Sequence, residues 1–259
     1  LSGLVGSEMC IRDRCSMSFL SVMNGHQIEL MVSSESTGSA SIQAEFNKLT
    51  HGRLGKIMRS AGSQSLNCMK LAHYLPAYEE IFEKYLHKNV KLLEIGVQHG
   101  GSYRLWSNYF GPELLTWTGL DINPKCLNLN KQQHPHQGLV VHGSQADKAF
   151  LQQLCKARGP FDVVIDDGSH MVDHMIASFE TLAPHMPEES LYIIEDVHAC
   201  YWEGFRGTES HANILSYFHD KLHSLNHQAV LHHRAASDLS EVEKSPPSIF
   251  LKRIDFFPS

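Results

Sequence analysis

The feature that most constrains the fold is a glycine turn between an apolar strand and the start of a helix. The apolar residues 90–93 run directly into Glu94, Gly96 and the pair Gly100-Gly101, and Ser102 then opens an amphipathic helical pattern. A buried strand that ends in glycines and continues into a helix is typical of a βα unit in a parallel sheet. Such a turn either holds a nucleotide-like ligand or is simply a tight connection.

Apolar runs and amphipathic stretches alternate regularly along the rest of the chain. The predicted strands cover residues 91–95, 116–120, 139–142, 161–165 and 191–194, and the predicted helices cover 71–86, 102–110, 147–157, 170–183 and 212–224. This order predicts an α/β fold with a doubly wound, mostly parallel sheet. Ligands of such sheets bind outside the carboxyl ends of the strands, so the residue after each apolar run is a candidate site residue.

The spacing of the turn distinguishes between nucleotide ligands. It reads acidic-x-Gly-x-x-x-Gly from Glu94 to Gly100, whereas a dinucleotide turn needs Gly-x-Gly-x-x-Gly. Gly96 and Gly100 allow close backbone approach without seating a pyrophosphate, which favours S-adenosylmethionine over NAD. Asp121 ends the second strand at the separation expected for an acid that accepts hydrogen bonds from ribose hydroxyls. On its own, Asp121 could instead cap the turn at Asn123.

The third strand is followed by polar residues that can border an adenine ring. Gln145 is the candidate cofactor contact in this segment. Asp147 either belongs to the same site or caps the helix that follows, and the sequence leaves both open.

Four carboxylates follow the fourth and fifth strands. They belong to Asp166, Asp167, Glu195 and Asp196. If the strands are neighbours, each like-charge pair at ~4 Å costs about 4 kcal/mol at an effective dielectric near 20, so a proton or a cation must lie between them. Oxygen ligands without cysteine favour Mg²⁺ or Mn²⁺ over zinc. The alternative is that one acid of each pair caps a helix or binds the cofactor indirectly, and Asp166 is the candidate cofactor contact among the four.

His170 follows the fourth strand across a glycine turn and is the best candidate for a general base. Histidine can accept the proton of a substrate hydroxyl near neutral pH. The chain has 18 histidines, so most must be surface or packing residues. His170 and His174 have a zinc-like helical spacing but lack the glutamate of His-Glu-x-x-His, and His219, His223 and His227 are read as a solvated helix face.

Composition excludes several classes of protein. The net charge of −6 and the absence of a long basic stripe argue against nucleic-acid binding. No apolar run reaches the ~20 residues that span a bilayer, so we expect no membrane partner. The six cysteines form no Cys-x-x-Cys pair, which predicts a reducing compartment, the cytoplasm.

The two ends of the chain are predicted to lie outside the main domain. Residues 4–14 match one reading frame of a common transposase sequencing adaptor, so residues 1–15 are interpreted as an artefact. Residues 16–62 are predicted to be an N-terminal extension and residues 63–259 the main domain. The chain stops soon after a strand-like segment, so we expect the C-terminus to be truncated and the last strands of the sheet to be missing.

Between residues 73 and 202 the chain resembles the metal-dependent sugar O-methyltransferases of the macrolide-tailoring type. The shared motifs lie at residues 74–79, 93–102, 165–170 and 194–202. The last two are specific, because generic methyltransferases share only the glycine turn. The resemblance implies a Rossmann-like class I methyltransferase fold, S-adenosylmethionine as methyl donor, Mg²⁺ or Mn²⁺, and a hydroxylated small-molecule acceptor, expected to be a glycoside in natural product biosynthesis.

The resemblance also implies roles for individual residues. These are metal ligands at Asp167, Glu195 and Asp196, a general base at His170, cofactor contacts at Glu94, Gly96, Ser102 and Asp121, and an acceptor pocket near Tyr201 and Trp202. Three rival interpretations remain: a catechol-type O-methyltransferase, a non-catalytic S-adenosylmethionine-binding protein, and a metal-dependent hydroxylase. The hydroxylase is disfavoured because a clear His-x-Asp…His iron triad is absent. A homo-oligomer is left open.

Overall fold

The computed structural model describes residues 47–60, 66–68, 70, 73–131, 138–207 and 213–225, with side chains up to residue 219 in the last range. The predicted N-terminal artefact, residues 16–46 and 61–62 of the predicted extension, and the C-terminal segment after residue 225 lie outside these ranges. In the part of the chain that is described, no helix is both long enough and apolar enough to cross a membrane.

Five strands alternate with helices from the first strand onward. The strands are β1 (Val90–Ile95), β2 (Leu115–Asp121), β3 (Gly138–His142), β4 (Val163–Asp166) and β5 (Leu191–Ile194). The α-helices are α1 (Arg53–Ser60), α2 (Tyr74–Phe82), α3 (Gly101–Phe110), α4 (Lys148–Arg158), α5 (Val172–Leu182) and α6 (Ile214–Leu225). The alternation confirms the α/β class predicted from the apolar pattern.

The strands form one sheet in the order β3-β2-β1-β4-β5, and every pairing is parallel. The order reverses at β1, which lies at the centre between β2 and β4. This reversal opens a crevice at the carboxyl ends of the strands, where doubly wound sheets bind their ligands. The fourth and fifth strands are neighbours, so the condition for bringing the four carboxylates together is met.

The sheet is covered on both faces, and the two-residue period of the strands decides which face each side chain reaches. Along β1, Val90 and Leu92 pack with helices α1 to α3, whereas Leu93 and Ile95 pack with α4 and α5. Burial on both faces explains why β1 reads as a nearly continuous apolar run. Residues beyond the strand ends escape this alternation and reach the crevice.

Two of the predicted helices differ clearly from the observed ones. The helix expected at 71–86 ends at Phe82 and continues as a 3₁₀ turn over Glu83–Tyr85. The helix expected from His170 begins at Val172, because His170 has a left-handed backbone with φ of 57°. The prediction that His170 and His174 lie on one helix is therefore wrong, because only His174 is in α5.

Candidate functional site

A cavity of about 590 Å³ opens at the carboxyl ends of the strands. It extends from the glycine turn after β1, past the end of β2, to the acidic residues after β4 and β5. Among the predicted site residues, its lining includes Gly96, Ser102, Asp121, Gln145, Asp167, His170, Glu195 and Asp196. Eight of the eleven predicted residues are thus brought to one cavity.

Asp121 fixes the turn at the first end of the cavity. Its Oδ2 accepts hydrogen bonds from the backbone N–H groups of Val97 (2.8 Å) and Gln98 (3.0 Å), and its Oδ1 accepts one from Asn123 (2.7 Å). Partial burial raises the pKa of Asp121, but the three backbone donors together lower it by more, so its pKa lies below the usual value. The carboxylate therefore combines the predicted turn-capping interaction with a place in the cavity lining, where it can also accept ligand hydroxyls.

Glycine at position 96 is required by the backbone as well as by any ligand. Gly96 has φ of 91°, and a Cβ atom there would overlap the carbonyl oxygen of Asp167. Its N–H donates to Leu120 (2.8 Å), while the N–H of Asp167 donates to Ile95 (2.9 Å). The turn after β1 is therefore packed directly against the backbone of the first candidate metal ligand.

We expect Gly96→Ala to lower the free energy of unfolding by about 2 kcal/mol or more, because the positive φ and the overlap with Asp167 both oppose a side chain. Urea denaturation followed by circular dichroism measures the loss. Gly204→Ala is the matched control, since a Cβ at Gly204 meets nothing within 4 Å. Equal stability of the two variants would show that the turn can shift without strain.

A buried lysine lies among the acidic residues. The Nζ of Lys70 is 2.6 Å from Asp167 Oδ2, 2.5 Å from Glu195 Oε1 and 3.9 Å from Glu94 Oε1, and the Lys70 side chain is 0% exposed. Burial lowers the pKa of Lys70, but Asp167 and then Glu195 raise it more strongly, so the net pKa lies well above its usual value. The predicted need for a cation between the acids is therefore met, at least in part, by the chain itself.

Asp167, His170 and Asp196 form a second group in the cavity lining, next to Lys70. Each offers one ligand atom, and these atoms lie within 4.8 Å of one another. His170 Nε2 is 4.0 Å from Asp167 Oδ1, while His170 Nδ1 is buried without a hydrogen-bond partner among the described residues. His170 and Asp196 both have left-handed backbones, with φ of 57° and 53°. Strained non-glycine residues cluster at functional sites.

Two tyrosines of α2 support the acids that follow β5. Tyr78 donates its hydroxyl to Glu195 Oε1, and Tyr74 donates to Asp196 Oδ1 (3.0 Å) while accepting from the Asp196 backbone N–H (3.1 Å). Burial, followed by the charge of Asp167, raises the pKa of Glu195 against the lowering effect of Lys70 and Tyr78. Glu195 is thus directed to Lys70 and Tyr78, and its predicted role as a metal ligand stays a prediction.

Three predicted cofactor contacts lie outside the cavity lining. Glu94 is 1% exposed and accepts from Trp117 Nε1 (3.0 Å) and Trp106 Nε1 (3.4 Å) on one face of the sheet. Asp166 is 1% exposed and points to the other face. Both acids lie within their strands, where each side chain must point to one face of the sheet or the other. Neither is therefore free to turn toward the crevice beyond the strand ends. Gly100 is the N-cap residue of α3 and has φ of 72°. A cofactor contact for these three residues stays a prediction.

The buried Asp166 belongs to a polar network behind the site. Its carboxylate accepts from Gln145 Nε2 (2.9 Å) and Ser178 Oγ (2.6 Å), and Gln145 Oε1 in turn accepts from the Ser169 N–H (2.8 Å). The carboxylate therefore acts through Gln145, which lines the cavity. Asp147 accepts from the Phe150 N–H (3.0 Å) and caps α4, so the capping alternative applies to it.

Sequence reasoning missed Lys70 and gave no role to Tyr74 and Tyr78. Lys70 lies before the shared motifs, in a segment without helical or strand periodicity, and its partners are 97 and 125 residues away. The available signal was a lone lysine flanked by apolar residues in the stretch 68–72. The tyrosines are part of the first shared motif, so their involvement could have been suspected.

The part of the chain that contains most of the cavity residues is similar to known methyltransferases. Residues 93–197 match the family model described as "Methyltransferase domain". The chain is 37% identical over 166 residues to demethylmacrocin O-methyltransferase of Streptomyces fradiae, covering 60% of this chain and 40% of that protein. It is 38% identical over 143 residues to mycinamicin VI 2''-O-methyltransferase of Micromonospora griseorubida, covering 52% of this chain and 34% of that protein.

A solved structure is similar over most of the chain. The MycE methyltransferase in complex with Mg, SAH and mycinamycin VI superposes with a TM-score of 0.56 at 27% identity. The match covers 83% of this chain and 56% of that one. The chain therefore spans about 40% of the length of its first curated relative and little more than half of this structural neighbour.

Proposed function

We propose that this chain transfers a methyl group from S-adenosylmethionine to a hydroxyl of a glycosylated natural product, with the help of a divalent metal ion. The proposal starts from residues 93–197, which match a methyltransferase domain and are similar to macrolide sugar O-methyltransferases. The observation that supports it best is the single cavity that joins the glycine turn and Asp121 to Asp167, His170 and Asp196. Donor site and acceptor site are thus adjacent.

The residues present fit both proposed groups. Gly96, Ser102 and Asp121 supply close backbone approach and hydrogen-bond acceptors for the cofactor, while Asp167 and Asp196 supply hard oxygen ligands for Mg²⁺ or Mn²⁺. When bound, the metal would act as a Lewis acid that makes an acceptor hydroxyl more acidic and orients it. The named relatives are methyltransferases, and the MycE structure contains Mg and SAH.

We assign His170 the role of general base. Its Nε2 lies beside Asp167 Oδ1 at 4.0 Å, so the carboxylate can stabilise the imidazolium that forms when Nε2 takes the proton. The left-handed backbone at His170 and the start of α5 two residues later place the ring in the cavity lining. The alternative is that His170 is itself a metal ligand, since it belongs to the same close group.

An aromatic wall supports a sugar as the acceptor. Trp202 lines the cavity while 47% exposed, and its ring contacts those of Phe205 (5.8 Å) and His198 (5.5 Å). Pyranose rings present apolar C–H faces that pack on exposed aromatic side chains, and their hydroxyls remain free to reach the acids.

The four described cysteines are free, which supports a reducing compartment, and we propose the cytoplasm.

We expect Trp202→Ala to raise KM for a glycoside acceptor about tenfold, equivalent to about 1.4 kcal/mol, with a smaller change in kcat. The adjacent Tyr201 is 60% exposed and lies outside the cavity lining, so Tyr201→Ala is the control and should stay within about twofold. Steady-state kinetics over a range of acceptor concentrations gives both values. Equal KM for the two variants would contradict an acceptor site on Trp202.

The proposed function is tested by mass spectrometry of acceptors incubated with S-adenosylmethionine and Mg²⁺. We expect a gain of one methyl group on rhamnosides or related glycosides, and none in excess EDTA. Methylation of catechols alone would support the catechol-type alternative. Binding of S-adenosylmethionine without turnover on any hydroxylated acceptor would support a non-catalytic protein, and turnover in EDTA would contradict the metal.

A further inference from the structure

We propose that Lys70 is a positioning residue that sets the charge of the metal site. Its ammonium group acts as a permanent internal cation that competes electrostatically with the divalent ion. This competition weakens metal binding and thereby favours turnover. The inference rests on the proposed function, and deepens it by assigning a residue that lies outside the shared motifs. Lys70 contacts Asp167 and Glu195 and belongs to the cavity lining, although its side chain is 0% exposed.

The charges around Lys70 favour this role. Asp167, Glu195, Asp196 and Glu94 bring four carboxylates to the ends of three adjacent strands, and Lys70 lies within 4.0 Å of three of them. Without the ammonium group, a divalent ion would sit in a strongly anionic site that binds it tightly and quenches its positive charge. With the ammonium group, the bound ion keeps more of its ability to stabilise a developing alkoxide.

The geometry divides the acids between the two cations. Lys70 takes Oδ2 of Asp167 and Oε1 of Glu195, whereas the other Asp167 oxygen, Oδ1, faces His170. Other contacts hold Asp167 and Asp196 in place without Lys70. The Asp167 backbone N–H donates to the Ile95 carbonyl, and the Tyr74 hydroxyl bonds to both the side chain and the backbone N–H of Asp196. The ligands should therefore stay in place when Lys70 is removed, while the local charge becomes more negative.

The test is the affinity for Mn²⁺ of the metal-free protein, measured by calorimetry or electron paramagnetic resonance. We expect Lys70→Met to lower the Kd for Mn²⁺ at least tenfold, which corresponds to about 1.4 kcal/mol, and to lower the melting temperature of the metal-free protein. Damage to the site would weaken Mn²⁺ binding, so a tighter Kd cannot arise from a merely structural role. Lys148→Met is the control, because Lys148 pairs with Glu180 on the surface, and its Kd should match the wild type.

The outcomes separate this inference from the proposed function. Wild-type protein that binds no Mn²⁺ would overturn both, whereas wild-type binding with an equal or larger Kd for Lys70→Met would overturn the inference alone. If Lys70→Met does not fold without metal, Lys70→Gln, which keeps an N–H donor, carries the same comparison. Failure of both variants to fold at any Mn²⁺ concentration would overturn the inference by making Lys70 purely structural.

Discussion

Asp167→Asn is expected to lower kcat/KM for methyl transfer on the order of a thousandfold, or about 4 kcal/mol of transition-state stabilisation. Asp167 combines a candidate metal-ligand oxygen, a contact with Lys70 and a position 4.0 Å from His170. The amide keeps the size of the side chain but removes the negative charge that strengthens the binding of a hard cation. Radiolabelled methyl transfer to the best acceptor measures the loss.

The same variant should bind S-adenosylmethionine within about threefold of the wild type, because Gly96 and Asp121 hold the other end of the cavity. Calorimetry with the cofactor alone checks this. Asp173→Asn is the control, since Asp173 is exposed in the first turn of α5 and should leave kcat/KM within about twofold. Activity of Asp167→Asn close to that of the control would remove Asp167 from the mechanism.

His170→Gln is expected to lower kcat by a factor of about 10² to 10⁴, the usual contribution of a general base. Its Kd for Mn²⁺ and for S-adenosylmethionine should change by less than about threefold, because a base contacts the acceptor proton rather than the metal. Steady-state kinetics gives kcat, and calorimetry on the same protein preparation gives the two Kd values.

The neighbouring His174 provides the control for His170. It lines the cavity, but its Nδ1 is engaged by Ser169 Oγ at 2.9 Å. His174→Gln should therefore retain at least about a tenth of the wild-type kcat. A tenfold or larger loss of Mn²⁺ affinity in His170→Gln would instead identify His170 as a metal ligand.

The fold was predictable because its signals are local. Buried parallel strands read as apolar runs, and the five predicted runs match β1 to β5 within about two residues at each end. The same reasoning brought Asp167 and Asp196 together, since residues that follow adjacent parallel strands meet at one edge of the sheet.

The parts of the site that escaped prediction depend on side-chain direction and on distant contacts. Glu94 and Asp166 lie within strands, so the two-residue period turns them to opposite faces of the sheet and away from the crevice. The left-handed backbones of His170 and Asp196 aim these side chains in ways that no periodicity encodes. Lys70 reaches the acids only through tertiary packing.

The central claim is that Asp167 and Asp196 share a divalent ion beside the cofactor site. Anomalous diffraction from a crystal of the protein grown with Mn²⁺ and S-adenosylhomocysteine tests it most directly. We predict one strong peak within a bonding distance of about 2.1 Å from carboxylate oxygens of both residues. A crystal that contains the nucleoside but shows no peak there at saturating Mn²⁺, or a peak at a different place, would contradict the account.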